Sequence, residues 1–178
     1  MNKKITLHKT ENIETYIEDL WSSAEEAQLK LAEISEYAEP LEFLYRIKFE
    51  GIGCDPFNPQ RSLNLIEQAN QTFTCLASFK AAKMLFSWHS GLTSLRMNLG
   101  TSSGTDIESD YDGGISAEVF AATSPSSNDK LKKDIEKVSK SHARHKYVFF
   151  MCPNCDEGQY LKCKAPTGIQ VWSLGNEY

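Results

Sequence analysis

The sequence predicts a mixed α/β fold, a sheet flanked by helices, and three observations predict it. Apolar residues recur at helical spacing through residues 11–38 and again through 59–86. Between 92 and 123 the pattern changes to short strands punctuated by small-residue turns. One more amphipathic helix and two apolar strands then complete the chain. Helices, then three strands, then helix, strand and strand is the order of a sheet covered by helices.

Taken in order, Ile13, Ile17, Leu20, Ala24, Ala27, Leu31 and Ile34 share one face of the first helix, and Thr10 is placed to cap it. Pro40 stops that helix, and 41–49 continue as a second helical piece. Residues 51–59 read as a loop from their Gly and Pro content. Asn58 followed by Pro59 reads as an N-cap and first-turn proline, opening a helix that runs to about Phe86. Its buried face is Leu63, Ile66, Phe73, Leu76, Phe79 and Met84, with Glu67, Asn70 and Gln71 among its polar members. Strands follow at 92–99, 105–107 and 115–122, with turns at 100–104 and 110–114. Residues 115–122 are almost continuously apolar, as in a central strand. Ser124, Pro125, Ser126 and Ser127 read as the cap of a helix with Leu131, Ile135 and Val138 on one stripe and lysines on the other. Residues 146–151 and 169–174 are the last strands, joined by a loop bearing Cys and Gly.

A chain of 178 residues with 40% apolar and 24% charged residues is ordinary globular composition for one domain. No apolar run reaches the roughly 20 residues of a membrane span, and the basic start has no apolar segment after it to make a signal peptide. A cytoplasmic location with no membrane contact is the expectation. Residues 1–50 hold 11 Asp/Glu against 6 Lys/Arg, whereas 51–178 hold 13 of each. The expected organisation is therefore an acidic helical extension, 1–50, and an α/β core, 51–178, that folds as one compact unit. The extension is unsuited to nucleic acid, and its helix at 11–38 is a candidate docking element for a protein partner. Within the core, Lys132, Lys133, Lys137 and Lys140 form a basic face that reads either as a phosphate contact or as a solvated helix surface.

The chemistry concentrates at two carboxylates. Asp106 opens one short strand and Glu118 stands near the middle of the next, so hairpin pairing brings them together. A Glu inside an apolar strand needs a partner or a metal. Mg²⁺ takes one or two carboxylates plus water and phosphate oxygens, so the pair is a candidate cation site. With these two acids, the helix–three strands–helix–strand order over roughly 59–151 resembles the PD-(D/E)XK, or restriction-endonuclease-like, nuclease superfamily. The resemblance implies an αβββαβ core in which Asp106 and Glu118 bind Mg²⁺ or Mn²⁺, the Val119 carbonyl adds a ligand, and Glu67 assists from the first core helix. It implies hydrolysis of phosphodiester bonds, in DNA, in restriction, repair or defence, in a protein that can act as a homodimer. Phe120 stands where that superfamily places a lysine. Lys130 or Lys133 on the following helix, or Lys80 or Lys83 on the preceding one, are the candidates to replace it, with Lys130 as the catalytic choice. The alternative is a catalytically degenerate subunit that binds a partner in a DNA-processing complex.

Cys152 and Cys155 form a C-x₂-C pair and Cys163 follows, which is three-quarters of a tetrahedral Zn²⁺ site. Cys54, His142 and His145 are the candidates for a fourth ligand, and buried thiols in a loop are the other reading. Cys75 lies on an apolar helix face and reads as core. His89 ends a helix and reads as a structural residue. No glycine-rich phosphate loop, G-x-S-x-G elbow or H-E-x-x-H helix is present in the sequence.

Overall fold

The structure, a computed structural model, describes residues 4–100 and 103–177. The chain divides into two compact units, Asn12–Leu76 and Met1–Glu11 together with Ala77–Tyr178. It opens with strand β1 (Lys4–His8), which belongs to the second of these.

The smaller unit is helical with one hairpin. Helix α1 (Ile13–Tyr37) buries Ile13, Leu20, Ala27 and Ile34, the stripe expected, although Ala24 is exposed. Its cap is Asn12, whose side chain accepts the Glu14 N–H at 3.1 Å, and not Thr10. Helix α2 (Pro40–Phe49) begins on Pro40, where a missing N–H costs nothing. The Gly- and Pro-rich stretch after it is more ordered than a loop: strands β2 (Gly53–Asp55) and β3 (Asn58–Leu63) pair antiparallel. Asn58 and Pro59 therefore sit in a strand, and the helix expected to start there starts later, as α3 (Leu65–Trp88). In a two-stranded hairpin every strand is an edge, so Pro59 is tolerated without a ladder N–H. Asn64 does the capping, accepting the Glu67 N–H at 2.9 Å.

Gln68 makes the inner face of α3 differ from the expected one. It is 2% exposed, donates to the Ser23 carbonyl and hydroxyl at 2.8 Å each, and accepts the Cys54 N–H at 3.1 Å. A fully bonded glutamine thus takes an inward position, and Ile66 and Phe73 are exposed instead. Cys75, Leu76 and Phe79 are buried as expected.

The larger unit holds a seven-stranded mixed sheet in the order β1-β4-β5-β6-β7-β9-β8. Its further strands are β4 (Ser94–Asn98), β5 (Ile107–Ser109), β6 (Ile115–Ala121), β7 (His145–Met151), β8 (Gly158–Gln159) and β9 (Ile169–Ser173). β1, β4, β5 and β6 pair antiparallel, while β7 lies parallel to β6 and β9 parallel to β7. A parallel pair needs a crossover, and helix α4 (Lys130–Ser139) lies in the one between β6 and β7.

Alternation fixes which side chains share a face. Tyr147 and Phe149 of β7 and Trp172 of β9 meet Trp88 at the end of α3, with ring centroids 4.7 to 5.9 Å from it. On the opposite face Phe120, Val148, Phe150 and Val171 pack with Leu131 and Val138 of α4. Glu118 is two residues from Phe120 and so shares the α4 face.

β1 was not expected: only Leu7 of its five residues is fully buried, too little for an alternating signal. The strand expected at 105–107 lies at Ile107–Ser109, leaving Thr105 and Asp106 just ahead of it. Residues 101 and 102 of the expected turn at 100–104, and residues 1–3, lie outside the described residues. The turn before β6 depends on Gly114, whose φ is +100° and whose added Cβ would stand 3.2 Å from the Ala143 Cα. No helix among the described residues is long and apolar enough to cross a membrane.

Candidate active site

The β5–β6 ladder ends at Ile107 opposite Ala117, but β6 continues. Asp106, the residue before β5, fills the missing place with its side chain: Oδ2 accepts the Val119 N–H at 2.8 Å. Its own carbonyl accepts the Asn98 N–H at 2.8 Å, which ties the residue to β4 as well. Next to it, in mid-strand, Glu118 is 1% exposed. The two carboxyls are near enough that the charge of Asp106 raises Glu118.

Helix α4 closes this pair with cations. Lys137 Nζ lies 2.8 Å from Glu118 Oε1 and donates to Oε2 at 2.9 Å. Two turns earlier, Lys130 pairs with the buried Asp134 at 2.6 Å, and its Nζ sits 5.8 Å from the centre of the Phe120 ring. Lys130, Asp134 and Lys137 are spaced i, i+4, i+7, one stripe of the helix beside the buried stripe of Leu131 and Val138.

Burial dominates the electrostatics. It raises all three carboxyls, and for Glu118 burial followed by the charge of Asp106 pushes the group up to about 7. The Val119 N–H and the two lysines pull Asp106 back without cancelling the rise. Burial also works to lower Lys137, but its hydrogen bond to Glu118 and the surrounding acids outweigh it, so the ammonium is held charged. Among the described residues, Asp134 Oδ2 is a buried polar atom with no hydrogen-bond partner, and Glu118 Oε1 is met only by the Lys137 ammonium at 2.8 Å. Packed like charges with an orphaned oxygen are costly alone and are relieved by a cation. The donor set is hard oxygen, which suits Mg²⁺ or Mn²⁺.

A cleft of about 390 Å³ opens two residues upstream on β6, lined by Ser116, Glu108, Arg96, Gly114, Ser141 and His142. Ser116 Oγ and Thr105 Oγ1 are 3.1 Å apart, and the Thr105 N–H and hydroxyl both reach Glu108 Oε1, at 2.9 and 3.1 Å. Arg96 is held by a two-pronged contact with Asp110 at 2.7 and 3.1 Å.

The other expected site residues fall as follows. Lys137, read as part of an outer basic face, is in the carboxylate cluster. Lys132, Lys133 and Lys140 are exposed, and Lys133 donates to the Asn128 carbonyl at 2.9 Å instead of facing the acids. Glu67 is exposed in the first turn of α3, within the smaller unit. Lys80 donates to the Glu177 carbonyl and Lys83 is exposed. Ser124, Ser126 and Ser127 bond to one another, and none caps α4. Asp134 was counted only as a charge in the sequence. The signal that could have found it is its spacing between two lysines, beside the apolar stripe.

Cys152 and Cys155 bring their sulfurs to 2.9 Å, and Cys163 donates to the Tyr160 carbonyl at 3.6 Å. All three border the Phe150 cluster. Burial and the Cys155 sulfur push Cys152 up to about 12, and burial raises Cys163. His145 is engaged by Asp112 at 3.0 Å, and Cys54 is buried in the smaller unit beside Ser23. No three His, Cys, Asp or Glu side chains among the described residues stand together as a metal cage. Any cation at Asp106 and Glu118 is therefore completed by water, main-chain oxygen or substrate. No protein-family model, curated protein or solved structure matches the chain.

Proposed function

We propose that this chain is a divalent-metal-dependent nuclease with a restriction-endonuclease-like core, in which α4 supplies the cationic side chains that β6 lacks. The observation that carries the reading is Lys137 on Glu118 with Lys130 above the Phe120 ring. The element order α3-β4-β5-β6-α4-β7, with acids at the start of β5 and in mid-β6, supports the core assignment.

Asp106 and Glu118 would hold Mg²⁺ or Mn²⁺. In a strand both main-chain groups of one residue face the same neighbour, so the Val119 carbonyl lies on the edge of β6 where its N–H meets Asp106. Bound there, the cation would lower the pKa of an attacking water and offset charge on the phosphate. Lys137, held as an ammonium, neutralises developing negative charge; it is a poor proton acceptor at neutral pH. Lys130 is pinned by Asp134 and would offer a second cation from 5.8 Å over the ring of Phe120, the residue in the motif lysine's place. The exposed Lys132, Lys133 and Lys140 meet the backbone of a DNA substrate, and that contact weakens with salt.

A second reading has its own observation. Lys137 already spans both Glu118 oxygens, as it would in a degenerate site where an ammonium has replaced the metal. Incubation with supercoiled plasmid in Mg²⁺ or Mn²⁺ separates the two. Nicking by the wild type that Asp106→Ala and Glu118→Ala both lose is the expected result. Folded wild-type protein that leaves the plasmid intact in both metals sinks the nuclease reading for this chain.

A further inference from the structure

Helix α2 presents an apolar stripe to solvent. Leu41, Leu44, Tyr45 and Phe49, at i, i+3, i+4 and i+8, are 58 to 82% exposed. None of the ten residues of α2 is fully buried. The Tyr45 and Phe49 rings adjoin on this face, centroids 5.1 Å apart and tilted by 45°. Contiguous exposed apolar side chains of this kind mark contact sites.

Charge selects the occupant. The unit Asn12–Leu76 holds 12 Asp/Glu against 4 Lys/Arg, a net −8, while the rest of the chain holds 12 against 15, a net +3. Beside the stripe Glu39 and Glu42 are exposed, as are Glu33 and Glu36 in the last turns of α1, while Arg46 is taken up by Glu50 at 2.8 Å and Lys48 lies over the Phe49 ring at 5.3 Å. A second copy would bring the same −8 unit against this one in a two-fold contact. Anionic lipid and nucleic acid are repelled likewise. We infer that the outer face of α2 docks a cationic amphipathic helix of a partner protein, the apolar stripes meeting and the partner's basic residues reaching the flanking glutamates. A helix laid on such a stripe is read through anchors at the same i, i+3, i+4 spacing. The inference stands apart from the nuclease reading, since none of its residues belongs to the Asp106–Glu118 cluster.

The test uses full-length protein and a synthetic Lys/Leu amphipathic helical peptide, with a scrambled peptide of the same composition as control, read by fluorescence anisotropy. Leu44→Asp adds negative charge, so simple ionic attraction would be kept or strengthened by it. The expected result is binding that the scrambled peptide lacks, that weakens with salt, and that Leu44→Asp reduces by about tenfold or more. Circular dichroism of that variant should match wild type, because the side chain is exposed. Equal binding by the two proteins overturns the inference. So does a wild-type dimer in sedimentation that Leu44→Asp converts to monomer, or binding to phosphatidylserine vesicles that the variant loses.

Discussion

Glu118 concentrates the chemistry in one side chain. Its carboxyl titrates near 4.5 when unfolded and about 7 when folded. Between those values the folded chain holds a proton that the unfolded chain has released, so this group favours the fold most below pH 4.5. That contribution is lost as the pH rises through 7. Denaturant unfolding at a series of pH values is expected to show stability falling from about pH 5 to pH 8, and Glu118→Gln is expected to flatten the fall. A wild-type profile parallel to that of the variant contradicts the assigned environment. Lys137→Met leaves a buried carboxylate without its cation and is expected to cost about 1–3 kcal/mol of stability near pH 8. The loss should shrink near pH 5, where Glu118 is protonated. The two acids were legible in the sequence because an acid inside an apolar strand demands a reason. Asp134 and the pairing of Lys137 with Glu118 were not, since helix charges look solvated until the register of the apolar stripe is known.

At the scale of elements, the site depends on where β5 stops and how tightly α4 returns to β7. The turn at Gly114 sets that return, because the chain at Ala143 passes within 3.2 Å of an added Cβ. Gly114→Ala is expected to destabilise the protein by about 1–3 kcal/mol, a fall in Tm of a few degrees, measured by calorimetry. No change in Tm would show that the turn relaxes freely. The long helices and strands β4, β6, β7 and β9 were legible because their periods are long or strongly apolar, whereas β8, two residues inside the expected loop, was not. The β2–β3 hairpin was not. Its Asn-Pro pair has the local chemistry of a helix start, and Asp55, Arg61 and Gln68 decide otherwise through contacts distant in sequence. β1 escaped for a simpler reason, being a short edge strand with one buried residue.

Across the whole molecule, the acid excess read over residues 1–50 is sharper when divided by contact, −8 in the Asn12–Leu76 unit against +3 in the remainder. The boundary in charge was thus visible in the sequence, whereas the boundary in contacts falls inside the continuous helix α3, where no composition change marks it. The nuclease reading joins residue and molecule through one competition: Lys137 and a divalent cation both seek Glu118. Binding of metal to the folded state alone raises stability by about 2.7 kcal/mol at a hundredfold excess over Kd. Mn²⁺ is therefore expected to raise the Tm of the wild type but not of Glu118→Gln.

Mn²⁺ binding and plasmid nicking measured together on Lys137→Met test the central claim most directly. If α4 supplies the cation for catalysis, the variant should bind Mn²⁺ at least as tightly as wild type, having lost its competitor, while cleaving on the order of 10²-fold more slowly. A variant that nicks plasmid at the wild-type rate, or a wild type and variant that both fail to bind Mn²⁺, would contradict it.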